Sequence, residues 1–133
     1  MKLLIINDES GVFELMSSRL QSSNDIIISG SGSEGIRLAR TMEPDIIIID
    51  ESPDSDGNRI CRKIRMFSSV PILILSLSDN PGTVARSLDA GADDCMVKPV
   101  AGGVLFSRVN KLMRRFNSSS GFHLQRSESY FQT

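Results

Sequence analysis

Residues 46–57 read IIIIDESPDSDG. Four consecutive isoleucines, Ile46 to Ile49, run into Asp50. A half-buried strand alternates polar and apolar residues, and this run does not. An unbroken β-branched stretch suits a strand covered on both faces, as in a parallel sheet. An aspartate at the end of such a strand is a helix cap, a turn residue, or a reactive group at the rim of a core.

Working outward, four more strand-like runs appear. They are Lys2–Ile6, Ile26–Ser29, Val70–Leu75 and the short Cys95–Val97. Amphipathic stretches follow each of the five. Residues 10–22 place Val12, Phe13, Met16 and Leu20 on one face, with Ser10 as the expected N-cap. Residues 33–43 start at Ser33 and carry Ile36, Ala39 and Met42. Residues 57–67 group Ile60, Cys61, Ile64 and Phe67. Residues 81–90 put Pro81 at the first helical position after Asn80, with Gly91 as the stop. Residues 101–116 carry Leu105, Val109, Leu112 and Phe116 at helical spacing. The pattern predicts an α/β fold, (βα)5, with a doubly wound five-stranded parallel sheet.

The chain has 133 residues and a net charge of −1, which fits one domain and gives no electrostatic case for nucleic acid or membrane binding. No run approaches the ~18 apolar residues of a membrane span. The start, MKLLIINDES, is not a signal peptide. Cys61 and Cys95 lack metal or redox spacing and read as free thiols of a cytoplasmic protein. Residues 117–133 are rich in Ser and Gly at their start and read as a linker or the start of a missing second domain. His123, in this stretch, reads as a bystander.

In a sheet ordered 2-1-3-4-5, the ends of strands one, three, four and five share a rim. Asn7, Asp8 and Glu9 follow the first strand, Asp50 the third, Ser76 ends the fourth, and Lys98 follows the fifth. Each has an ordinary use. Asp8 and Asp50 suit caps, Lys98 a solvated loop, and Ser76 a hydroxyl bonded to backbone. Together they suggest other chemistry. Two carboxylates side by side call for a cation, and magnesium takes such oxygens. Lys98 adds a positive point charge and Ser76 a donor. A carboxylate nucleophile among such groups suits phosphoryl transfer.

The motifs MKLLIINDE, PDIIIID, PILILS and AGADDCMVKP resemble the response-regulator receiver domain of two-component signalling, over residues 1–116. AGADDCMVKP with SRVNKLMRR is most similar to the OmpR/PhoB class. The resemblance implies a flavodoxin-like fold and a signalling domain that is not an enzyme beyond its own phosphotransfer and dephosphorylation. It implies Asp50 as phospho-acceptor, Lys98 as the lysine contacting the phosphoryl group, and Ser76 as the switch hydroxyl. It implies Mg2+ held by Asp8 and Asp50 with the Ser52 carbonyl, with Asn7 beside them. It implies a cis Lys98–Pro99 bond. The implied partners are a histidine kinase, a second copy meeting through residues 81–116, and DNA only by way of an output domain beyond this chain.

The sequence departs from that pattern at several points. Asn7 replaces one acid of the usual pair, which predicts weak magnesium binding. Pro53 follows Asp50 by three residues where the family has four, so the position of Ser52 shifts. Leu77 follows Ser76 where a small residue is usual, narrowing access. Cys95 stands in place of the switch aromatic, and a small thiol cannot report burial in the same way. Of three interface charge pairs only Asp94–Arg108 persists. Arg86 faces Val104 and Asp93 faces Asn110, so Val104, Leu105 and their neighbours are expected to hold any dimer. These departures raise the alternative of a pseudo-receiver that works without phosphorylation. A flavin-binding protein is disfavoured by the acidic NDES loop, and a carboxylate phosphatase by Ser52 where its second acid belongs.

Overall fold

The structure, a computed structural model, describes residues 1–19 and 25–120; for residues 116–120 it describes only the helical backbone. Leu20, the Phe116 side chain, His123 and residues 121–133 lie outside what it describes.

Five strands alternate with five helices. They are β1 Lys2–Ile6, α1 Val12–Ser17, β2 Asp25–Ser29, α2 Gly32–Thr41, β3 Ile46–Asp50, α3 Gly57–Arg65, β4 Ile72–Ser76, α4 Thr83–Asp89, β5 Asp94–Val97 and α5 Gly102–Ser120. The strands form one parallel sheet in the order β2-β1-β3-β4-β5, as the sequence predicts. The central strands are covered on both sides, and Ile46 to Ile49 are all fully buried.

Strand alternation sorts the core into two layers. Leu4, Ile6, Ile47, Ile49, Ile72 and Ile74 meet Ala39, Ile60, Cys61 and Ile64 of α2 and α3. Leu3, Ile5, Ile46, Ile48, Leu73 and Leu75 meet Val12, Met16, Leu105, Val109 and Leu112 of α1 and α5. Each fully buried aliphatic side chain is worth about 1.5–3 kcal/mol of transfer free energy. A polar residue at Ile48 would lose that and strand its own polar atoms. Gly35 lets α2 approach β1, since a Cβ there would lie 2.7 Å from Ile6.

Helix starts differ from expectation in three places. Gly11, left-handed at φ 71, caps α1, so Ser10 is not the N-cap. Ser31, not Ser33, caps α2 by accepting from the Glu34 amide. Pro81 lies outside α4, because Gly82 at φ 85 breaks the backbone direction and the helix begins at Thr83. Gly91 does stop that helix, at φ 111. Helix α5 continues to Ser120, past the expected boundary at 116, and residues 117–120 carry no Gly or Pro. Leu105 is fully buried against the sheet and is not available to a dimer face.

Candidate functional site

The C-terminal ends of β1, β3, β4 and β5 do share one rim. Asp50 sits at the end of central strand β3 and is fully buried. Its Oδ1 lies 2.5 Å from Lys98 Nζ, in an ion pair whose lysine side chain is 12% exposed. The same ammonium donates to the Glu51 carbonyl. The cis Lys98–Pro99 bond is present, and the Lys98 amide donates to the Ser76 carbonyl at 2.9 Å. A buried carboxylate needs such partners, because an uncompensated charge away from water is very costly.

The loop after β1 supplies the other partners of Asp50. The Ser10 amide donates to Asp50 Oδ2 at 2.6 Å, and the Ser10 hydroxyl donates to Oδ1 at 3.0 Å. Asn7 opens this loop in the left-handed region, φ 61, which asparagine tolerates. Its carbonyl accepts from the Glu9 amide at 2.8 Å, and its side-chain amide donates to Ser55 Oγ at 2.7 Å. Asp8 does not meet Lys98 or Ser10 in a hydrogen bond. Its Oδ1 accepts from the Phe13 amide at 3.1 Å, the helix-start use that its position also allows.

Ser76 is buried at the end of β4, but its hydroxyl donates to Glu51 Oε1 at 3.3 Å. Glu51 Oε1 also accepts from the Leu77 amide at 3.0 Å, and Oε2 from the Gly57 amide at the start of α3 at 2.9 Å. Leu77 is 48% exposed at the rim. The Ser52 carbonyl accepts from the Ser55 amide at 3.0 Å, closing the shortened loop as a tight turn.

Sequence reasoning missed two residues of this site. Ser10 was legible as a polar residue near a helix start, yet its partner is Asp50. Glu51 had a signal in its place: it follows Asp50, so its side chain leaves the strand on the other side, toward β4 and α3.

These contacts bear on magnesium. The donors have the right chemistry, all hard oxygens. Asp8 and Asp50 are the residues that would hold the ion, through lone pairs that their present partners leave over. Both Asp50 oxygens, Asp8 Oδ1 and the Ser52 carbonyl each accept from a protein donor, and the Asn7 side-chain nitrogen is tied to Ser55. Among the described residues no three His, Cys, Asp or Glu side chains converge to hold a metal. A cleft of about 430 Å3 opens beside the site, lined by Asn7, Glu9, Ser31, Ser52, Asp56 and Lys63 among others, but not by Asp50.

Cys95 is buried in the layer beneath α2 and α3. Burial pushes its thiol up, opposed by a Ser87 hydrogen bond. Asp94 and Arg108, expected to pair across an interface, pair within the chain at 2.9 Å. Asp93 is also used internally, by Arg65 at 2.9 Å and by the Ile72 amide at 2.8 Å.

The family model described as the response regulator receiver domain matches residues 3–110. The chain belongs to that family. It is 35% identical over 115 residues to the transcriptional regulatory protein AfsQ1 of Streptomyces coelicolor, covering 85% of this chain and 51% of that protein. It is 33% identical over 117 residues to the alkaline phosphatase synthesis transcriptional regulatory protein PhoP of Bacillus subtilis, covering 86% of this chain and 49% of that protein. These relatives are OmpR/PhoB-family response regulators. The chain thus spans about half the length of the curated relatives it matches. Among solved structures, the receiver domain of the Francisella response regulator 1452 superposes with a TM-score of 0.76 at 28% identity, covering 86% of this chain and 98% of that one. No helix among the described residues is long and apolar enough to cross a membrane.

Proposed function

We propose that this receiver domain takes a phosphoryl group on Asp50 from a histidine kinase, in the cytoplasm, and relays that state to an output domain beyond this chain. One observation carries the reading: a fully buried aspartate at the tip of the central strand, 2.5 Å from a lysine ammonium. An attacking carboxylate needs a cation beside it, since negative charge gathers as the phosphoryl group arrives. Lys98 supplies that cation. Receiver domains generally work with magnesium, and Asp8 and Asp50 would hold it beside the arriving phosphoryl group, where it would supply further positive charge. The names of the relatives support a DNA-binding output.

Contact with a second copy through residues 81–116 belongs to the same proposal. Val84, Leu88 and Val104 are the exposed apolar residues of α4 and α5 it draws on. The Asp94–Arg108 pair contributes little while it is closed within one chain.

Intact mass after incubation with acetyl phosphate and magnesium tests acceptance. A single phosphoryl adduct, lost in Asp50→Asn, is the expected result. A specific observation favours a second reading, a pseudo-receiver independent of phosphorylation: Ser10 covers Asp50, and Ser76 points to Glu51. Absence of adduct at any donor concentration would decide for it.

A further inference from the structure

Asp50 is fully buried, and both its oxygens receive Ser10, one from the amide at 2.6 Å and one from the hydroxyl at 3.0 Å. Hydrogen bonds to an ionised acceptor are short and about twice as strong as neutral ones, and a low-dielectric setting strengthens them further. The backbone holds Ser10 there deliberately. Asn7 at φ 61 and Gly11 at φ 71 flank it, and the Glu9 amide closes onto the Asn7 carbonyl between them. The asparagine position persists because surrounding contacts over-determine it, while glycine adopts its own freely.

We propose that Ser10 is a latch on Asp50, resting on the reading of Asp50 as the phospho-acceptor: it takes up one lone pair on each oxygen in competition with a cation or phosphodonor, and it lets go before Asp50 reacts. In the reaction an Asp50 oxygen forms a bond to phosphorus. The bond from phosphorus to the donor's leaving atom breaks, and the leaving group departs with that electron pair, as acetate when acetyl phosphate is the donor. No net proton is gained or lost. The reacting oxygen needs a lone pair directed at phosphorus, and a donor hydrogen bond from Ser10 competes for it. Lys98 stays as the compensating charge throughout.

Two variants loosen the latch by different routes. Ser10→Ala removes the hydroxyl and keeps the amide. Gly11→Ala penalises the left-handed loop conformation alone, because a Cβ there meets nothing within 4 Å. The rate of adduct formation from acetyl phosphate with magnesium, read by intact mass, is expected to rise roughly ten-fold in Ser10→Ala, the effect of losing one hydrogen bond to a charged group, and by a smaller factor in Gly11→Ala. Equal rates in wild type and both variants overturn the latch while leaving Asp50 as acceptor. Slower reaction in both overturns it as well, making Ser10 an aid to catalysis. If no protein gains an adduct, the acceptor reading fails, and the latch as a gate on that reaction falls with it. Amide hydrogen exchange at Ser10 in the unmodified protein tests the contact itself: protection that is lost in Asp50→Ala is expected, and exchange at the rate of an open loop in wild type overturns the latch.

Discussion

Glu51, just past the end of β3, and Ser76, at the end of β4, are joined by a hydrogen bond of 3.3 Å from the serine hydroxyl to the glutamate carboxylate. The same carboxylate accepts from the Leu77 and Gly57 amides. One side chain thereby ties the end of β4 to the start of α3, where a negative charge is favoured by the helix dipole. It also engages the hydroxyl that family resemblance assigns to the switch.

Replacing Glu51 with alanine leaves the Gly57 and Leu77 amides without this acceptor. The expected cost is about 1–3 kcal/mol of unfolding free energy. Glu51→Gln keeps one acceptor oxygen and should lose less. Urea denaturation measures both, and an Ala variant as stable as wild type would show that water replaces the clamp without loss.

The Asp50–Lys98 pair is a case of mutual compensation. Lys98→Ala leaves a fully buried carboxylate with Ser10 as its remaining partner, and removal of one member of a buried pair costs roughly 3–5 kcal/mol. The cost should shrink in an Asp50→Asn background, where no buried charge is left. A double-mutant cycle on unfolding free energy reads the difference as a coupling of more than about 1 kcal/mol. Additive effects would mean that Lys98 is held by other contacts, such as the Glu51 carbonyl.

Both cysteines should be inert in the folded domain. Burial raises the Cys61 thiol from 9.0 to about 11, and the nearby Arg65 only partly offsets this. A rise of that size leaves about a hundred-fold fewer thiolates at neutral pH, and thiolate is the reactive form. Cys95 is shifted in the same direction, again chiefly by burial. Labelling with a disulfide reagent at pH 7.5 should therefore be slow in native protein and rapid in urea. Prompt native labelling at either site would contradict the burial described here.

The fold was legible because it rests on strand burial and alternation, which the isoleucine run and its counterparts write directly into the sequence. The rim residues were legible as positions for the same reason: strand ends in a parallel sheet fall together. Their contacts were not. Whether Asp8 meets a cation or the Phe13 amide depends on a loop path governed by two left-handed residues, Asn7 and Gly11. Ser10 belongs to that path. Glu51 was hidden because its role needs the spacing of two strands and a helix start at once. Pro81 misled because a single left-handed glycine after it moved the helix start.

Arg65 gives the last prediction, and it too was invisible in the pattern, being one of several basic residues at the end of α3. Its guanidinium donates to the carbonyls of Gly91 at 2.8 Å and of Val70, and pairs with Asp93 at 2.9 Å. It thereby binds the end of α3 to the turn before β5 and to the start of β4. Asp93 in turn accepts from the Ile72 amide, so one arginine supports the entry of two strands. The planar fork of arginine suits this and the point charge of lysine does not. Arg65→Ala should leave three part-buried carbonyls, those of Ser68, Val70 and Gly91, and one carboxylate short of a donor, lowering unfolding free energy by about 2–4 kcal/mol. Arg65→Lys should recover less than half of that loss. A lysine variant indistinguishable from wild type in urea would mean that charge alone, and not the branched geometry, holds this junction.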